Sequence, residues 1–270
     1  MLQTTFSFTK TLAKPRIALE YSGTGQPIIM LHGIGGNRTN WWDQIQYFQN
    51  DHLAIAWDAR GYGDSDDFEG SLNFEDFSKD LITVFDHFRI ETAHIVGLSM
   101  GGRIAMRFAA RYPKKVKSLC LVDTHLGFQK MDNKKRDAFI ASRKEPLLAG
   151  KETSHIAPDV AESLCSSKAI SGAKEKFIES MSHLHKESYI KAIESSVNDD
   201  RFDEYHKIKS PTIVIVGEDD ELTPLDMAIE IQKNIVGADL SVIPNAGHLS
   251  NFEQPHSFNS VLATFLSKQL

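Results

Sequence analysis

The chain has 270 residues, which is enough to bury a sizeable core as one large domain or as a domain with an insert. Its hydrophobic content of 41% and charged content of 24% are typical of a soluble globular protein, and no apolar run approaches the roughly 18 residues of a membrane span. A net charge of −6 gives no general electrostatic reason to bind nucleic acid or an anionic membrane.

Short strand-like runs alternate along the chain with longer amphipathic segments. We predict strands at residues 5–8, 16–21, 27–32, 53–58, 94–98, 116–123, 212–217 and 240–244. Several of them are apolar almost throughout, which is expected of strands that are covered on both faces of a parallel sheet. Apolar residues at helical spacing predict helices that include residues 77–88, 104–108 and 258–266. This alternation predicts an open α/β sheet with right-handed crossovers.

The alternation breaks between residues 125 and 207, a polar segment that has helical patterns and no convincing strand. We interpret this segment as a helical cap, which assigns residues 1–124 and 208–270 to the two parts of the core. Ligands of open α/β sheets bind at the carboxyl edge, so a cap that enters and leaves at that edge would cover the site. Within the insert, the basic stretch at residues 130–144 is interpreted as a solvated helix face.

The motif GLSMG (97–101) follows the predicted strand 94–98 and opens a predicted helix. A strand that turns at once into a helix forces the residue between them into a strained, positive-φ conformation. The glycines on either side leave room for this bend. The Ser99 hydroxyl then projects above the sheet at the N-terminus of a helix, where developing negative charge is favoured. Ser99 is therefore the candidate nucleophile.

A nucleophilic serine needs a base, and His248 is the candidate among eleven histidines. It follows the last predicted strand in a loop at the carboxyl edge, which is also the edge that carries Ser99. The base needs an orienting carboxylate. Four acids in the loop at residues 218–221 follow another strand at that edge, and Asp123, at the end of the preceding strand, is a rival.

The loop HGIGG (32–36) ends the predicted strand 27–32 and offers a site for an oxyanion. A backbone N–H in this loop, together with that of Met100, can hold the oxygen of a tetrahedral intermediate. A phosphate-binding loop is the alternative, but its GxGxxG and GxxxxGK spacings are absent at this strand end. Cys120 and Cys165 lie in no metal-ligand or CxxC spacing, and we expect reduced thiols in a cytoplasmic protein.

Five motifs in order resemble those of the α/β-hydrolase superfamily over nearly the whole chain: HGIGG (32–36), DARGYGDSD (58–66), GLSMGG (97–102), GEDDELTP (217–224) and NAGHLSNFEQP (245–255). The resemblance implies an eight-stranded, mostly parallel sheet with helices on both faces and a helical cap. It also implies the chain order serine, acid, histidine.

The resemblance also implies particular residues. Aligned with the family pattern Gly-x-x-Asp-x-x-x-Pro, the acid is Asp220 rather than Asp219. The oxyanion donors are the backbone amides of Ile34 and Met100. Four residues are similar to the family's structural turn after the fourth strand and are expected to take no part in the chemistry: Asp58, Arg60, Gly61 and Gly63.

Within the superfamily, GLSMGG and AGHLSNFEQP are most similar to the 3-oxoadipate enol-lactonases and related carboxylesterases. We therefore predict a serine hydrolase that cleaves a small carboxylic ester or lactone through an acyl-enzyme on Ser99, without a metal or cofactor. Two alternatives remain. One is a carbon–carbon bond hydrolase of a vinylogous diketone, although similar enzymes usually carry a tryptophan where Leu249 stands. The other is a ligand receptor that keeps the hydrolase fold.

Overall fold

One sheet forms the core of the protein in a computed structural model that describes residues 6–128, 132–199 and 202–269. Within these residues it has eight strands: β1 Ser7–Lys10, β2 Ala18–Ser22, β3 Gln26–Leu31, β4 His52–Trp57, β5 Ala93–Leu98, β6 Val116–Val122, β7 Thr212–Gly217 and β8 Asp239–Ile243. Each corresponds to a predicted strand. The first begins two residues later than predicted, because its ladder with β2 starts at Ser7, and Thr5 lies outside the described residues.

The strands are arranged in the order β1-β2-β4-β3-β5-β6-β7-β8. All neighbours from β4 to β8 are parallel, whereas β2 runs antiparallel to both β1 and β4. Every residue of β5 and of β7 is buried. Because successive side chains of a strand point to opposite faces, both faces of the sheet are covered there. The predicted fold class, a mostly parallel sheet between helical layers, is confirmed.

Ten α-helices accompany the strands in the described part of the chain: α1 Trp42–Phe48, α2 Phe74–Phe88, α3 Met100–Arg111, α4 Asn133–Leu148, α5 Thr153–Leu164, α6 Ala173–Ser182, α7 Lys186–Asn198, α8 Leu225–Asn234, α9 Ser250–Glu253 and α10 Pro255–Ser267. Helices α4 to α7 come between β6 and β7, in the segment predicted as a helical insert. Among the described helices, none combines the length and apolar character needed to span a membrane.

Helix α2 shows how the sequence builds the helical layer. Four residues of its predicted apolar stripe are buried and the fifth, Phe88, is partly buried; the buried four are Phe77, Leu81, Val84 and Phe85. Full burial of such a side chain contributes about 1.5–3 kcal/mol. The helix begins after Asn73, whose side-chain oxygen accepts a hydrogen bond from the backbone N–H of Asp76. Helix α2 packs against α3, so this layer supports the helix that follows Ser99.

The interpretation of residues 130–144 as a solvated helix face is wrong for Arg143. Residues 130 and 131 lie outside the described residues, and most of the stretch forms α4. Arg143 is only 6% exposed. Phe139 and Leu147 lie one turn before and one turn after it, and residues four apart share one face of a helix. Leu147 is buried, so Arg143 belongs to the inward face of α4.

The close approach of β5 and α3 requires a glycine at position 97. A Cβ atom at this position would collide with the backbone of Gly101 and Gly102. We expect Gly97→Ala to lower the free energy of unfolding by at least about 3 kcal/mol, the upper end of the usual cost of overpacking. Urea denaturation measures this quantity.

The matched control is Gly237→Ala. The added Cβ has no heavy atom within 4 Å, and only the backbone strain at φ 77° remains. That strain costs about 1–2 kcal/mol. An equal loss of stability in the two variants would contradict the proposed steric role of Gly97.

Candidate active site

Ser99 lies at the turn between β5 and α3, with φ 53° and ψ −115°. A positive φ in a residue with a side chain costs on the order of 1–3 kcal/mol and persists only where the surroundings hold it. Two hydrogen bonds hold it here. The Ser99 N–H donates to the Val122 carbonyl at 2.8 Å, and the Thr124 hydroxyl donates to the Ser99 carbonyl at 2.7 Å. The strained bend expected from the sequence is present.

The structure brings Ser99, His248 and Asp220 together. Oγ of Ser99 lies 2.9 Å from Nε2 of His248, and Nδ1 of His248 lies 2.9 Å from Oδ2 of Asp220. An ionised carboxylate only accepts hydrogen bonds, so Nδ1 carries the proton and donates it to Asp220. Nε2 is then free to accept a hydrogen bond from the Ser99 hydroxyl. His248 is 3% exposed and Asp220 is 4% exposed.

The turn after β7 fixes Asp220. Its carboxylate accepts hydrogen bonds from the Thr223 backbone N–H at 2.9 Å and from the Thr223 hydroxyl at 2.6 Å. The neighbouring Asp219 is partly exposed and forms an ion pair with Lys168. Of these two acids, Asp220 is the one that contacts His248.

Asp123, the rival acid, links the ends of three core segments. Its Oδ1 accepts a hydrogen bond from the Gly217 N–H at 2.8 Å. Its Oδ2 accepts hydrogen bonds from the backbone N–H and the hydroxyl of Ser250, at 3.0 and 2.7 Å. Gly217 ends β7 just before Asp220, and Ser250 follows His248 by two residues. This buried carboxylate therefore ties both loops to the end of β6, a role that the sequence does not reveal.

Glu253 is a second buried carboxylate that the sequence analysis did not identify. It accepts hydrogen bonds from the backbone N–H groups of Gly247 and Leu249, both at 2.9 Å. These two residues flank His248. Glu253 thus accepts hydrogen bonds from the backbone N–H groups on both sides of the histidine and fixes the loop that carries it.

Carboxylates determine the charge state of His248. Burial alone would lower the pKa of His248, but the charges of Asp220, Asp123 and Glu253 outweigh burial and raise the pKa above its ordinary value. Burial would raise the pKa of Asp220, and contact with His248 instead lowers it. Burial, followed by repulsion from Asp220, raises the pKa of Asp123 to about 7. The arrangement stabilises an imidazolium on His248.

Two backbone amides lie beside Ser99. Ile34 and Met100 line the same pocket as Ser99. In the described parts of the chain, neither backbone N–H donates to a protein acceptor. A Cβ atom at Gly33 would lie 3.0 Å from the Ser99 Cβ, so the loop after β3 passes directly beside the serine. Ile34 and Met100 therefore remain the candidate donors to a ligand oxygen near Ser99.

The pocket above Ser99 is narrow, with a free volume of about 20 Å³, and it is partly open to solvent. The core supplies one side of it: Ile34, Ser99, Met100, Leu222, Thr223 and His248. The segment predicted as a cap supplies the other: His125, Phe128, Phe139, Arg143, Leu164 and Ser196. The sequence analysis identified none of this second group. The spacing of Phe139 and Arg143, which are four residues apart and so share one helix face, was the one sequence feature that could have indicated that they line a pocket together.

The motif at residues 58–66 builds a turn outside this pocket. Asp58 is fully buried and forms an ion pair with Arg38. Gly63 has φ 50°, and a Cβ atom there would collide with the Asp58 carboxylate. Arg60 pairs with Asp80 at 2.7 Å. These contacts are structural, as the sequence analysis expected.

In the ranges that the structure describes, no group of three or more histidine, cysteine, aspartate or glutamate side chains is arranged to hold a metal ion. Cys120 and Cys165 are free thiols. Burial raises the pKa of the Cys120 thiol well above its usual range, which makes it a poor nucleophile. The reactive geometry is therefore concentrated at Ser99.

A family profile described as the alpha/beta hydrolase fold matches residues 26–255, which include every side chain of the site. The chain belongs to the α/β-hydrolase family. It is 27% identical to 3-oxoadipate enol-lactonase 2 of Acinetobacter baylyi, over 97% of this chain and 98% of the relative. It is 31% identical to the 2-hydroxy-6-oxononadienedioate/2-hydroxy-6-oxononatrienedioate hydrolase of Comamonas testosteroni, over 96% and 93% of the two chains.

Among solved structures, this α/β-hydrolase is similar to a thermophilic esterase from Thermogutta terrifontis. The TM-score is 0.86 at 26% sequence identity, and the match covers 97% of this chain and 99% of the esterase. The predicted resemblance to enol-lactonases and esterases is confirmed.

Asp123→Asn tests the link between the strand ends. An amide can accept from Gly217, but its NH₂ group then meets the N–H of Ser250, and two donors cannot pair. We expect the free energy of unfolding to fall by about 1–3 kcal/mol, the cost of leaving a buried donor unsatisfied. Urea denaturation at neutral pH measures the loss. Asp219→Asn is the control and should change stability by less than about 0.5 kcal/mol. Equal stability of the wild type and Asp123→Asn would contradict the linking role.

Proposed function

We propose that the protein hydrolyses small carboxylic esters or lactones through an acyl-enzyme on Ser99. The observation that carries the proposal is the continuous line of hydrogen bonds from Ser99 Oγ through the His248 imidazole to Asp220. A neutral Nε2 at 2.9 Å from the hydroxyl is within reach of the proton that must leave as the oxygen attacks a carbonyl. The relatives named enol-lactonase and esterase support the same chemistry.

In the first half-reaction, Ser99 Oγ attacks the substrate carbonyl while its proton passes to His248. The carbonyl oxygen becomes an oxyanion, and the N–H groups of Ile34 and Met100 stabilise it. His248 then protonates the leaving oxygen, the bond between it and the carbonyl carbon breaks, and the acyl group remains on Ser99. Asp220 holds the tautomer and stabilises the imidazolium throughout.

In the second half-reaction, water takes the place of the leaving group. His248 removes a proton from the water, and the resulting hydroxide attacks the ester on Ser99. The second tetrahedral intermediate uses the same N–H groups. Collapse of this intermediate returns the proton to Ser99 and releases a carboxylic acid. In a lactone, the leaving oxygen and the acid belong to one product.

We further propose that residues 125–207 act as a cap that shapes the acyl pocket of a core formed by residues 1–124 and 208–270. The support is the composition of the pocket. The core supplies the reacting groups, whereas the insert supplies Phe128, Phe139 and Leu164 as apolar walls. Substrate preference therefore depends mainly on the insert.

Carbon–carbon bond hydrolysis of a vinylogous diketone is the second candidate. The 31% identity to the Comamonas testosteroni hydrolase favours it. Leu249 occupies the position after His248 and is buried. An assay of one such diketone beside simple esters and lactones separates the two reactions: the ester and lactone proposal predicts faster turnover of the oxygen esters.

Ser99→Ala tests the nucleophile. We expect kcat for p-nitrophenyl acetate and butyrate to fall by at least about 10⁴-fold, because among the described residues only the Ser99 hydroxyl lies within hydrogen-bond distance of Nε2 of His248. The free energy of unfolding should fall by no more than about 1.5 kcal/mol, since alanine keeps the Cβ atom and the strained backbone, and the hydrogen bond between the Ser99 hydroxyl and His248 is lost. Ser167→Ala changes an exposed serine and should retain full activity. Retained turnover in Ser99→Ala would place the nucleophile elsewhere.

The pH dependence of kcat/KM tests the base. Only neutral His248 can accept the Ser99 proton, and its pKa is raised above the ordinary 6.5. Activity should therefore be low in acid and rise with pH through an apparent pKa above 6.5. Asp220→Asn removes the main charge that raises this pKa, so the rise should move to lower pH, with a plateau lower by about 10³–10⁴-fold.

Asp219→Asn is the matched control for this profile. Asp219 lies next to Asp220 in the chain but pairs with Lys168. Its substitution should leave both the plateau and the apparent pKa unchanged. A profile that is flat between pH 5 and 8 in the wild type would rule out His248 as the base.

A further inference from the structure

Arg143 is a buried cation in the wall of the catalytic pocket. It lies on α4, is 6% exposed and lines the same pocket as Ser99 and His248. A buried charge is costly unless it is paired, and arginine is almost never fully buried without a partner. The position of Arg143 therefore calls for an explanation.

The contacts of Arg143 are all with neutral groups. Its Nη1 donates to the Phe139 carbonyl at 3.3 Å and to the Ser142 hydroxyl at 3.1 Å. The guanidinium carbon lies 4.0 Å from the centre of the Phe139 ring. Among the described residues, no aspartate or glutamate oxygen lies within 4.0 Å of Arg143. Burial lowers the pKa of Arg143, and the nearby Tyr189 hydroxyl offsets this only in part.

Other poorly exposed arginines of this protein have carboxylate partners. Arg38 pairs with Asp58, and Arg103 pairs with Asp199 at 2.6 Å. Arg60 likewise forms an ion pair with Asp80. Arg143 differs from these in having its charge uncompensated and in facing the catalytic pocket. A binding site for an anion in this pocket explains both differences.

His125 supplies a second donor in the same wall. Its Nδ1 accepts a hydrogen bond from the Gly127 N–H at 3.1 Å, so its proton is on Nε2. Burial, together with the charge of Arg103, lowers the pKa of His125 to about 3 and keeps the ring neutral. In the described part of the chain, Nε2 donates to no protein acceptor. His125 is therefore an uncharged N–H donor that lines the pocket.

The aromatic rings between these donors fix their positions. The His125 ring contacts Phe128 at 4.5 Å, and Phe128 contacts Phe139 at 5.6 Å. Arg143 stacks on Phe139, the last ring of this row. The guanidinium and the imidazole N–H are thus held by packing before any ligand arrives, which lowers the entropic cost of binding.

We propose that Arg143 binds a carboxylate on the acyl part of the substrate. The planar guanidinium fork matches a carboxylate, and a narrow pocket with apolar walls suits the carbon chain between that carboxylate and the reacting carbonyl. The inference rests on the proposed ester or lactone hydrolysis and narrows it. The preferred substrates are monoesters of dicarboxylic acids, or lactones that carry a free carboxylate.

Matched pairs of substrates test the selectivity. Phenyl monoesters of glutaric and adipic acid carry a terminal carboxylate, and phenyl pentanoate and phenyl hexanoate have the same chain lengths without it. For at least one pair, the wild type should show a kcat/KM at least about 10-fold higher for the charged ester, as expected for a charge-assisted hydrogen bond. Released phenol is measured with subtraction of the uncatalysed rate.

Arg143→Met removes the charge and retains much of the side-chain volume. We expect kcat/KM for the charged ester to fall by about 10–100-fold, while the value for the uncharged ester changes by less than about 3-fold. Arg143→Lys should restore part of the preference. Lys144→Met is the control, because Lys144 is the next residue on α4 and pairs with Glu194 instead of lining the pocket. It should keep the full preference for the charged ester.

A second measurement uses proteins in which Arg143 is unchanged, so its result does not depend on whether an Arg143 variant folds. In the wild type, glutarate should inhibit phenyl pentanoate hydrolysis competitively, and uncharged glutaramide should inhibit at least about 10-fold more weakly. Calorimetry on the Ser99→Ala protein should detect glutarate binding without turnover. Equal inhibition by glutarate and glutaramide would overturn the carboxylate site.

The outcomes separate this proposal from the proposed function. If the wild type cleaves charged and uncharged esters equally, and Arg143→Met affects both alike, the carboxylate site is wrong and ester hydrolysis stands. If the wild type cleaves neither ester, but Ser99→Ala binds glutarate and Arg143→Met abolishes that binding, the carboxylate site stands and ester hydrolysis is wrong.

Discussion

The turn at Ser99 is the constraint on which the rest of the site depends. Strand β5 passes into α3 without a linker, so Ser99 takes a positive φ, and its hydroxyl stands at the carboxyl edge of the sheet. Gly97 allows strand and helix to approach this closely. The same turn places the Met100 N–H beside the hydroxyl. In the proposed mechanism, one backbone feature thus supplies both the nucleophile and a donor for the oxyanion, and every other reacting group must reach that point.

Negative and positive charges lie on different sides of the pocket at Ser99. Carboxylates of the core surround His248, and hydrogen bonds from backbone N–H groups offset part of the cost of burying them. On the cap side of the pocket, the charge is positive at Arg143. The core therefore stabilises a proton on the imidazole, whereas in our proposal residues 125–207 act as a cap that offers a cation to the substrate. This division is consistent with a core that determines the reaction and an insert that determines the substrate.

The fold and the convergence of Ser99, Asp220 and His248 were predictable because their signals are local. Buried strands, apolar stripes and the GLSMG turn each occupy a few consecutive residues, and strand ends fix which loops share the carboxyl edge. Asp220 could be separated from Asp219 only by family resemblance, because both lie in one acidic loop. The linking role of Asp123 depends on donors 94 and 127 residues away in the sequence. Arg143 was misread because its basic neighbours suggest a solvated face, and its burial depends on the packing of α4 against α7.

Covalent labelling with a fluorophosphonate tests most directly whether His248 activates Ser99. Cleavage after Arg89 and Arg103 yields a peptide of residues 90–103, in which Ser99 is the only serine. We expect one adduct per chain, which mass spectrometry should locate on Ser99 in this peptide. We expect labelling of His248→Gln to be at least about 10²-fold slower than labelling of the wild type, because the general base is lost. Label on another residue, or equal rates in the two proteins, would contradict activation of Ser99 by His248.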